Sequence, residues 1–111
     1  MKSVETFRFA WMKEDYYQLY EASDPAFKEK VTYEQFTQFM HSMRNKLGEI
    51  RASSSVGEEV TYTTTGTLVV LTYSTEFTKG KASEQFAWII KEDRSSLYNY
   101  TINVEIQWDQ R

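Results

Sequence analysis

The spacing of apolar residues changes once, at Gly48, and this change constrains the fold more than any other feature. Before Gly48 apolar residues recur at helical spacing, and after it they recur at every second residue almost to the end. A chain with its helices first and its strands second folds as an α+β domain with one antiparallel sheet. We predict one domain over residues 1–111, with helices at about 3–47 and four strands at about 49–108.

Local signals mark the helix ends. Asp24 directly precedes Pro25, which is the order of an N-cap followed by the first helical position. Thr32 and Gln35 have the spacing of a capping box. Gly48 follows the last helix, where a glycine commonly ends the hydrogen-bonded turns. These signals predict a short helix after Asp24 and a longer helix from Thr32 to Gly48.

The strand half predicts a curved sheet. Val69 and Leu71 alternate with Leu68 and Val70, so the second strand is apolar on both faces and is predicted to be central. The final strand alternates from Tyr98 to Trp108, with aromatic and aliphatic residues on one face. Eleven residues extend about 36 Å at about 3.3 Å per residue. A strand of that length has to curve to stay packed on short helices, which predicts a cone with an internal cavity.

Composition excludes several classes of function. The net charge is −3 and no block of lysine and arginine is present, so we predict no nucleic-acid partner. Cysteine is absent and histidine occurs once, which predicts no metal site and no cofactor. No apolar run is long enough to predict a membrane-spanning segment. We expect a cytoplasmic protein, or a periplasmic or exported one if a leader has been removed upstream of Met1.

Two carboxylates are candidates for acid–base chemistry. Asp15 precedes an apolar helical stretch, and we favour a cap that accepts from the amide of Gln18 over a general base. Glu84 shares the strand face of Phe86 and Trp88, so an inward orientation would bury its carboxylate and suit it to catalysis. We favour the alternative, in which Glu84 lies in water at the start of the strand.

Aromatic side chains are numerous enough to line a pocket. The chain contains 7 Phe, 8 Tyr and 3 Trp, and a set of them falls on the predicted inner faces. Such a set builds either a core or a cavity for a small, flat, apolar ligand. His41 lies about 140° from the apolar face of its helix, which predicts an exposed side chain without a catalytic role. The predicted pocket-lining residues are Trp11, Tyr16, Tyr20, Tyr73, Phe86, Trp88, Tyr98 and Tyr100.

The order of these residues resembles that of a known group of proteins. The matching positions include Trp11, Asp15-Tyr16, Leu19-Tyr20, Ser23, Phe27, Val31-Thr32, Gln35-Phe36, Tyr73, Phe77, Gly80, Glu84, Phe86, Lys91-Glu92-Asp93, Leu97, Tyr100 and Ile102. They resemble small bacterial domains of unknown function with a cystatin-like, nuclear-transport-factor-like cone fold. Such domains often carry Gly and Trp in the last hairpin turn, where this chain has Asp93, Arg94 and Ser95. The resemblance implies a fold shared by isomerases, cyclases, dehydratases and interaction domains, and it does not choose among them.

Two functional hypotheses follow. The first is a non-catalytic binding or protein-interaction domain that forms a homodimer through the outer face of the sheet. Leu68, Val70, Ala87 and Ile89 would form the apolar centre of that face, beside the polar residues Asn99, Thr101 and Asn103. The second is a small-molecule enzyme of the isomerase, cyclase or dehydratase type. It would use Glu84 or Asp15 as the base and a tyrosine of the cone as the donor to a developing oxyanion.

Overall fold

The predicted α+β architecture is confirmed. A computed structural model describes residues 2–108, with side chains from Val4 onward. Four helices come first and one antiparallel sheet follows, with its strands in chain order and its shape open and curved. The elements are α1 Lys2–Lys13, α2 Tyr17–Glu21, α3 Pro25–Lys30, α4 Tyr33–Leu47, β1 Ile50–Thr63, β2 Gly66–Phe77, β3 Gly80–Lys91 and β4 Arg94–Gln107.

Two helices begin with the predicted caps. The Asp24 carboxylate accepts a hydrogen bond from the Ala26 amide at 3.0 Å, with Pro25 as the first residue of α3. Thr32 and Gln35 form both halves of a capping box at the start of α4, at 3.0 and 3.1 Å. Each bond satisfies an amide that the first helical turn leaves without a partner.

The predicted cap at Asp15 is wrong. Helix α2 begins one residue later than expected, and its N-cap residue is Tyr16, which makes no side-chain capping bond. The Tyr16 side chain is instead buried, with its ring 6.4 Å from that of Phe36. Burying an aromatic ring stabilises the fold by more than a single capping hydrogen bond does. Packing of the Tyr16 ring therefore sets the start of α2. Asp15 is exposed.

The core lies between the helices and one face of the sheet, which we call the inner face. Helix α1 contributes Val4, Phe7 and Trp11, as its helical spacing predicts. The inner face of β2 and β3 contributes alternate residues, among them Leu71 and Phe86. Strand β2 pairs with both β1 and β3, so its predicted central position is confirmed.

The prediction of uninterrupted alternation along β4 is wrong at both ends. Pairing with β3 shifts between Leu97 and Asn99, which leaves Tyr98 as an extra residue and places Leu97 in the core. A second shift lies between Val104 and Ile106, and Ile106 is 49% exposed. Each bulge moves the following residues to the opposite face of the strand. The middle of β4 keeps the predicted orientation, with Tyr100 directly opposite Phe86.

Candidate functional site

Glu84 is buried on the inner face of β3, so its predicted position in water is wrong. Its side chain has 0% relative exposure. One carboxylate oxygen, Oε1, lies 2.7 Å from Nη2 of Arg8 and accepts from Thr75 Oγ1 at 2.5 Å. The other, Oε2, accepts from Arg8 Nη1 at 2.9 Å and from the Tyr100 hydroxyl at 2.5 Å. A buried carboxylate needs this combination of an opposite charge and several donors, because burial without them is very unfavourable.

Arg8 joins α1 to three strands. Besides its two contacts with Glu84, its Nη2 donates to Ser53 Oγ at 2.8 Å and to Thr75 Oγ1 at 3.2 Å. Its guanidinium lies 5.6 Å from the ring centre of Tyr73 and 5.3 Å from that of Phe86. A planar guanidinium suits such a position because it stacks on rings while donating in its own plane.

Sequence reasoning missed Arg8, although a signal for it was present. Val4, Phe7 and Trp11 mark the buried stripe of α1, and Arg8 completes the i, i+3, i+4, i+7 pattern of that stripe. A charged residue at a core position predicts a buried partner of opposite charge. The helix pattern thus indicates that a carboxylate faces Arg8, but it does not say which one.

The Tyr100 hydroxyl has a strongly raised pKa. Burial raises the pKa of Tyr100 well above its usual value of 10.0, and the neighbouring Glu84 carboxylate raises the pKa further by charge repulsion and by accepting a hydrogen bond from the phenolic hydroxyl. Arg8 acts in the opposite direction with a smaller effect on this pKa. Tyr100 therefore stays a neutral donor to Glu84 across the physiological pH range.

The geometry gives the Glu84 carboxylate little capacity for proton transfer. Each oxygen already has two polar partners, which fill the acceptor positions of an ionised carboxylate. A general base needs an open lone pair facing its substrate. The arrangement instead connects α1 to the sheet, and we name Arg8, Ser53, Thr75, Glu84 and Tyr100 the inner polar cluster.

The other titratable candidates lie apart from this cluster. Asp15 is exposed in the segment between α1 and α2. His41 is exposed as predicted, with Nδ1 3.6 Å from a Glu14 carboxylate oxygen at the surface. Within residues 2–108, no group of three or more side chains is arranged to hold a metal ion.

Most of the predicted aromatic set lies in the core. Trp11, Phe86 and Trp88 are at most 3% exposed, and Tyr16 and Tyr20 are at most 8% exposed. Tyr73 is partly buried against them, and its ring meets that of Phe86 edge to face with centroids 5.7 Å apart. Tyr98 sits in the β4 bulge, with Lys30 Nζ 5.4 Å from its ring centre.

Tyr100 also lines a groove between α3, α4 and β4. The groove has a volume of about 340 Å³. Its walls are mainly aromatic and aliphatic, with two amide side chains and no charged side chain among them. The lining residues are Phe27, Val31, Gln35, Phe36, Phe39, Asn99 and Tyr100.

The outer face of the sheet carries a second apolar feature. Leu68 lies directly opposite Ile89, and Val70 lies directly opposite Ala87, on the two central strands. Ile89 is 5% exposed yet belongs to no part of the core cluster, which lies on the inner face. We name these four residues the outer patch.

The fold and these surfaces define an α+β domain with helices on one side of an open sheet. Residues 9–98 match the model of a family described as a protein of unknown function, DUF4019, and the chain belongs to this family. A search of the curated proteins found nothing that matches the chain. Among residues 2–108, no helix is long and apolar enough to cross a membrane.

Proposed function

We propose that the chain is a non-catalytic protein-interaction domain that self-associates through the outer patch. The observation that carries the proposal is the register of β2 and β3, which sets Leu68 against Ile89 and Val70 against Ala87 on the face opposite the helices. Leu68, Val70 and Ala87 are each partly exposed there, and an exposed apolar patch on a sheet face is typical of an association surface. A second copy is the proposed partner, because two identical patches can bury each other about a two-fold axis.

The inner polar cluster supports this proposal over the enzyme hypothesis. An isomerase, cyclase or dehydratase would need the Glu84 carboxylate free to take a proton from its substrate. Arg8, Thr75 and Tyr100 occupy that carboxylate. Asp15, the other candidate base, lies at the surface away from the cluster. The cluster is best explained as the contact that fixes α1 on the sheet.

Light scattering after size-exclusion chromatography tests the outer patch. The wild-type chain is expected to have at least twice the 13.2 kDa mass of one copy at micromolar concentration. Val70→Lys is expected to lower that mass, because a lysine at the centre of the patch would be buried without a partner. Ile106→Lys makes the same kind of change at an exposed strand position off the patch. Equal masses for wild type and Val70→Lys would overturn the proposed interface.

The groove beside Tyr100 favours a second binding function, for a small, flat, neutral ligand. Its volume of about 340 Å³ lies within the range of small-molecule sites, and its aromatic walls suit a planar apolar molecule. The absence of charged side chains among its lining residues favours an uncharged ligand. The Asn99 side chain and the Gln35 NH2 group offer hydrogen bonds to such a ligand, whereas the Gln35 amide oxygen already accepts from the Thr32 amide.

Titration with 2-naphthol, followed by amide NMR shifts, tests this second function. The expected shifts concentrate on residues 27–39 and 99–100, and Phe39→Ala weakens binding. Phe9→Ala removes a phenylalanine that is more exposed, 60% against 38%, and lies on α1 away from the groove. Shifts spread over the whole chain, or equal losses in the two variants, would contradict a site in the groove.

A further inference from the structure

The free edge of β1 is a surface that the proposed function leaves unused. Strand β1 pairs only with β2, and among the described residues no strand lies on its other side. Its 14 residues therefore present a row of backbone donors and acceptors to solvent. Such a row is a template for another strand.

The middle of this edge carries neither of the residue types, charged residues and proline, that most often prevent pairing at a sheet edge. Residues 52–55 read Ala-Ser-Ser-Ser, with no charge and no proline, and they run between two irregularities in the pairing with β2. Charged side chains occur only on either side, as Arg51 before the segment and Glu58 and Glu59 after it. Natural edge strands usually place charges or proline within the exposed stretch.

We propose that β1 pairs with β1 of a second copy, antiparallel and about a two-fold axis at Ser54 or Ser55. The charges identify the partner, because the segment is positive at one end and negative at the other. An axis between these two serines sets Arg51 of each chain opposite residues 57–59 of the other, where Glu58 and Glu59 lie. Within the described residues Arg51, Glu58 and Glu59 make no ion pair, so all three are available across the axis.

Exposed apolar side chains supply the contact that backbone pairing alone lacks. Phe9 and Met12 on α1 are 60% and 61% exposed, and with Ile50 they border a groove of about 440 Å³ beside the start of β1. Val60 lies opposite Val69, so it points to the same inner side of the sheet as α1, and it is 43% exposed. With the axis at Ser55, Val60 of one copy falls opposite Ile50 of the other, next to the groove.

This edge is distinct from the outer patch, and its use goes beyond the proposed function. The patch lies on the face of β2 and β3, whereas edge pairing extends the sheet in its own plane. A chain that uses both surfaces forms assemblies larger than a dimer, and removing either surface reduces them to dimers. The two surfaces can therefore be tested separately.

A cysteine placed on the axis gives a position-specific test. The chain has no cysteine, so Ser54→Cys and Ser55→Cys each introduce a single thiol. Residues directly opposite in an antiparallel pair lie at a distance that a disulfide spans. One of the two variants is expected to form a covalent dimer in air roughly ten times faster than Ser42→Cys, because pairing raises the local thiol concentration. Ser42 is exposed on α4.

Charge reversal tests the choice of partner in the Val70→Lys background, which disables the outer patch. Arg51→Glu makes the edge uniformly negative, and Glu58→Arg with Glu59→Arg makes it uniformly positive. Each variant alone is expected to be monomeric in light scattering, and an equal mixture is expected to restore the dimer mass. All three residues are exposed, so the fold tolerates the changes.

The outcomes decide between the surfaces. Equal cross-linking of Ser54→Cys, Ser55→Cys and Ser42→Cys, or no gain in mass on mixing, overturns edge pairing and leaves the outer patch unaffected. Capture of an unrelated extended peptide by a monomeric chain would also overturn it. A fall to the dimer mass in Val70→Lys alone, together with unchanged cross-linking at Ser54 or Ser55, would support both surfaces.

Discussion

Arg8 and Glu84 lie 76 positions apart in the chain, and their side chains form a bidentate ion pair between α1 and β3. The two contacts measure 2.7 and 2.9 Å, and the Glu84 side chain has no exposed surface. Neither residue has an alternative partner of opposite charge among the described residues. The pair therefore links the position of the first helix to that of the sheet.

Removing the charge of Glu84 is expected to destabilise the fold strongly. Glu84→Gln keeps the shape of the side chain but leaves the Arg8 guanidinium without its counter-charge, at a cost of about 3 kcal/mol. Urea unfolding followed by circular dichroism measures this loss in the free energy of unfolding. Glu105→Gln changes an exposed glutamate on β4 and is expected to stay within about 0.5 kcal/mol of the wild type. Similar losses in both variants would show that the pair is not stabilising.

The Tyr100 hydroxyl is expected to make stability depend on alkaline pH. The pKa of Tyr100 is raised in the folded state above its unfolded value near 10.0. The stabilising contribution of the Tyr100 hydroxyl to the fold is therefore complete below about pH 10. It is lost as the pH rises through the pKa of Tyr100 in the folded state. Tyr100→Phe is expected to cost about 2 kcal/mol at neutral pH, and this cost should shrink above about pH 10.

Urea unfolding at a series of pH values measures this dependence. Tyr62→Phe provides the control, since Tyr62 is 82% exposed and its removal should alter neither the stability nor its pH profile. A difference between wild type and Tyr100→Phe that stays constant from about pH 8 to about pH 11 would contradict the predicted linkage.

The features that the sequence predicts correctly depend on residues that lie close together in the chain. The capping box of Thr32 and Gln35 needs only a three-residue spacing, and it forms as predicted. The burial of Glu84 depends on Arg8, which is supplied by an element at the other end of the chain. Because buried carboxylates are rare, the general rule predicts that Glu84 is exposed to water. The rule fails here because nothing near Glu84 in the sequence identifies Arg8 as its partner.

The last strand shows a second limit. Alternation from Tyr98 onward predicts one continuous face, yet two bulges reverse the face at either end. Each bulge adds one residue to β4, and no residue type in the sequence marks its position. The apolar and polar residues therefore still alternate in the sequence, although the side chains change to the opposite face of the strand. Leu97 lies in the core for this reason, opposite Trp88.

Gly48 is expected to tolerate no side chain. Its φ is +81°, and a Cβ there would lie 2.1 Å from Thr78 Oγ1, which accepts from the Glu49 amide. Gly48→Ala should therefore cost more than about 1 kcal/mol. Gly57→Ala places a Cβ at 3.7 Å from its nearest neighbour and should be neutral or stabilising by about 0.5 kcal/mol. Thermal or urea unfolding ranks the two, and the opposite order would contradict the assignment of the helix end.

Two buried tryptophans differ in one hydrogen bond. The same substitution is therefore expected to lower the free energy of unfolding by different amounts at the two positions. Trp11 and Trp88 are 0% and 3% exposed, so both changes to phenylalanine remove similar packing. Trp11 Nε1 donates to the Gly48 carbonyl at 3.0 Å, whereas Trp88 Nε1 has no acceptor among the described residues. Trp11→Phe leaves that carbonyl without its donor, while Trp88→Phe removes an unsatisfied group.

Trp11→Phe is therefore expected to cost about 1 to 2 kcal/mol more than Trp88→Phe. Urea unfolding followed by circular dichroism is the appropriate measurement, because each variant alters the fluorescence signal. Gly48 separates the two halves of the chain, so its bond to Trp11 fixes α1 to the point where helix gives way to strand. An equal cost for both variants would mean that packing alone holds this junction and that the hydrogen bond from Trp11 to Gly48 adds nothing to stability.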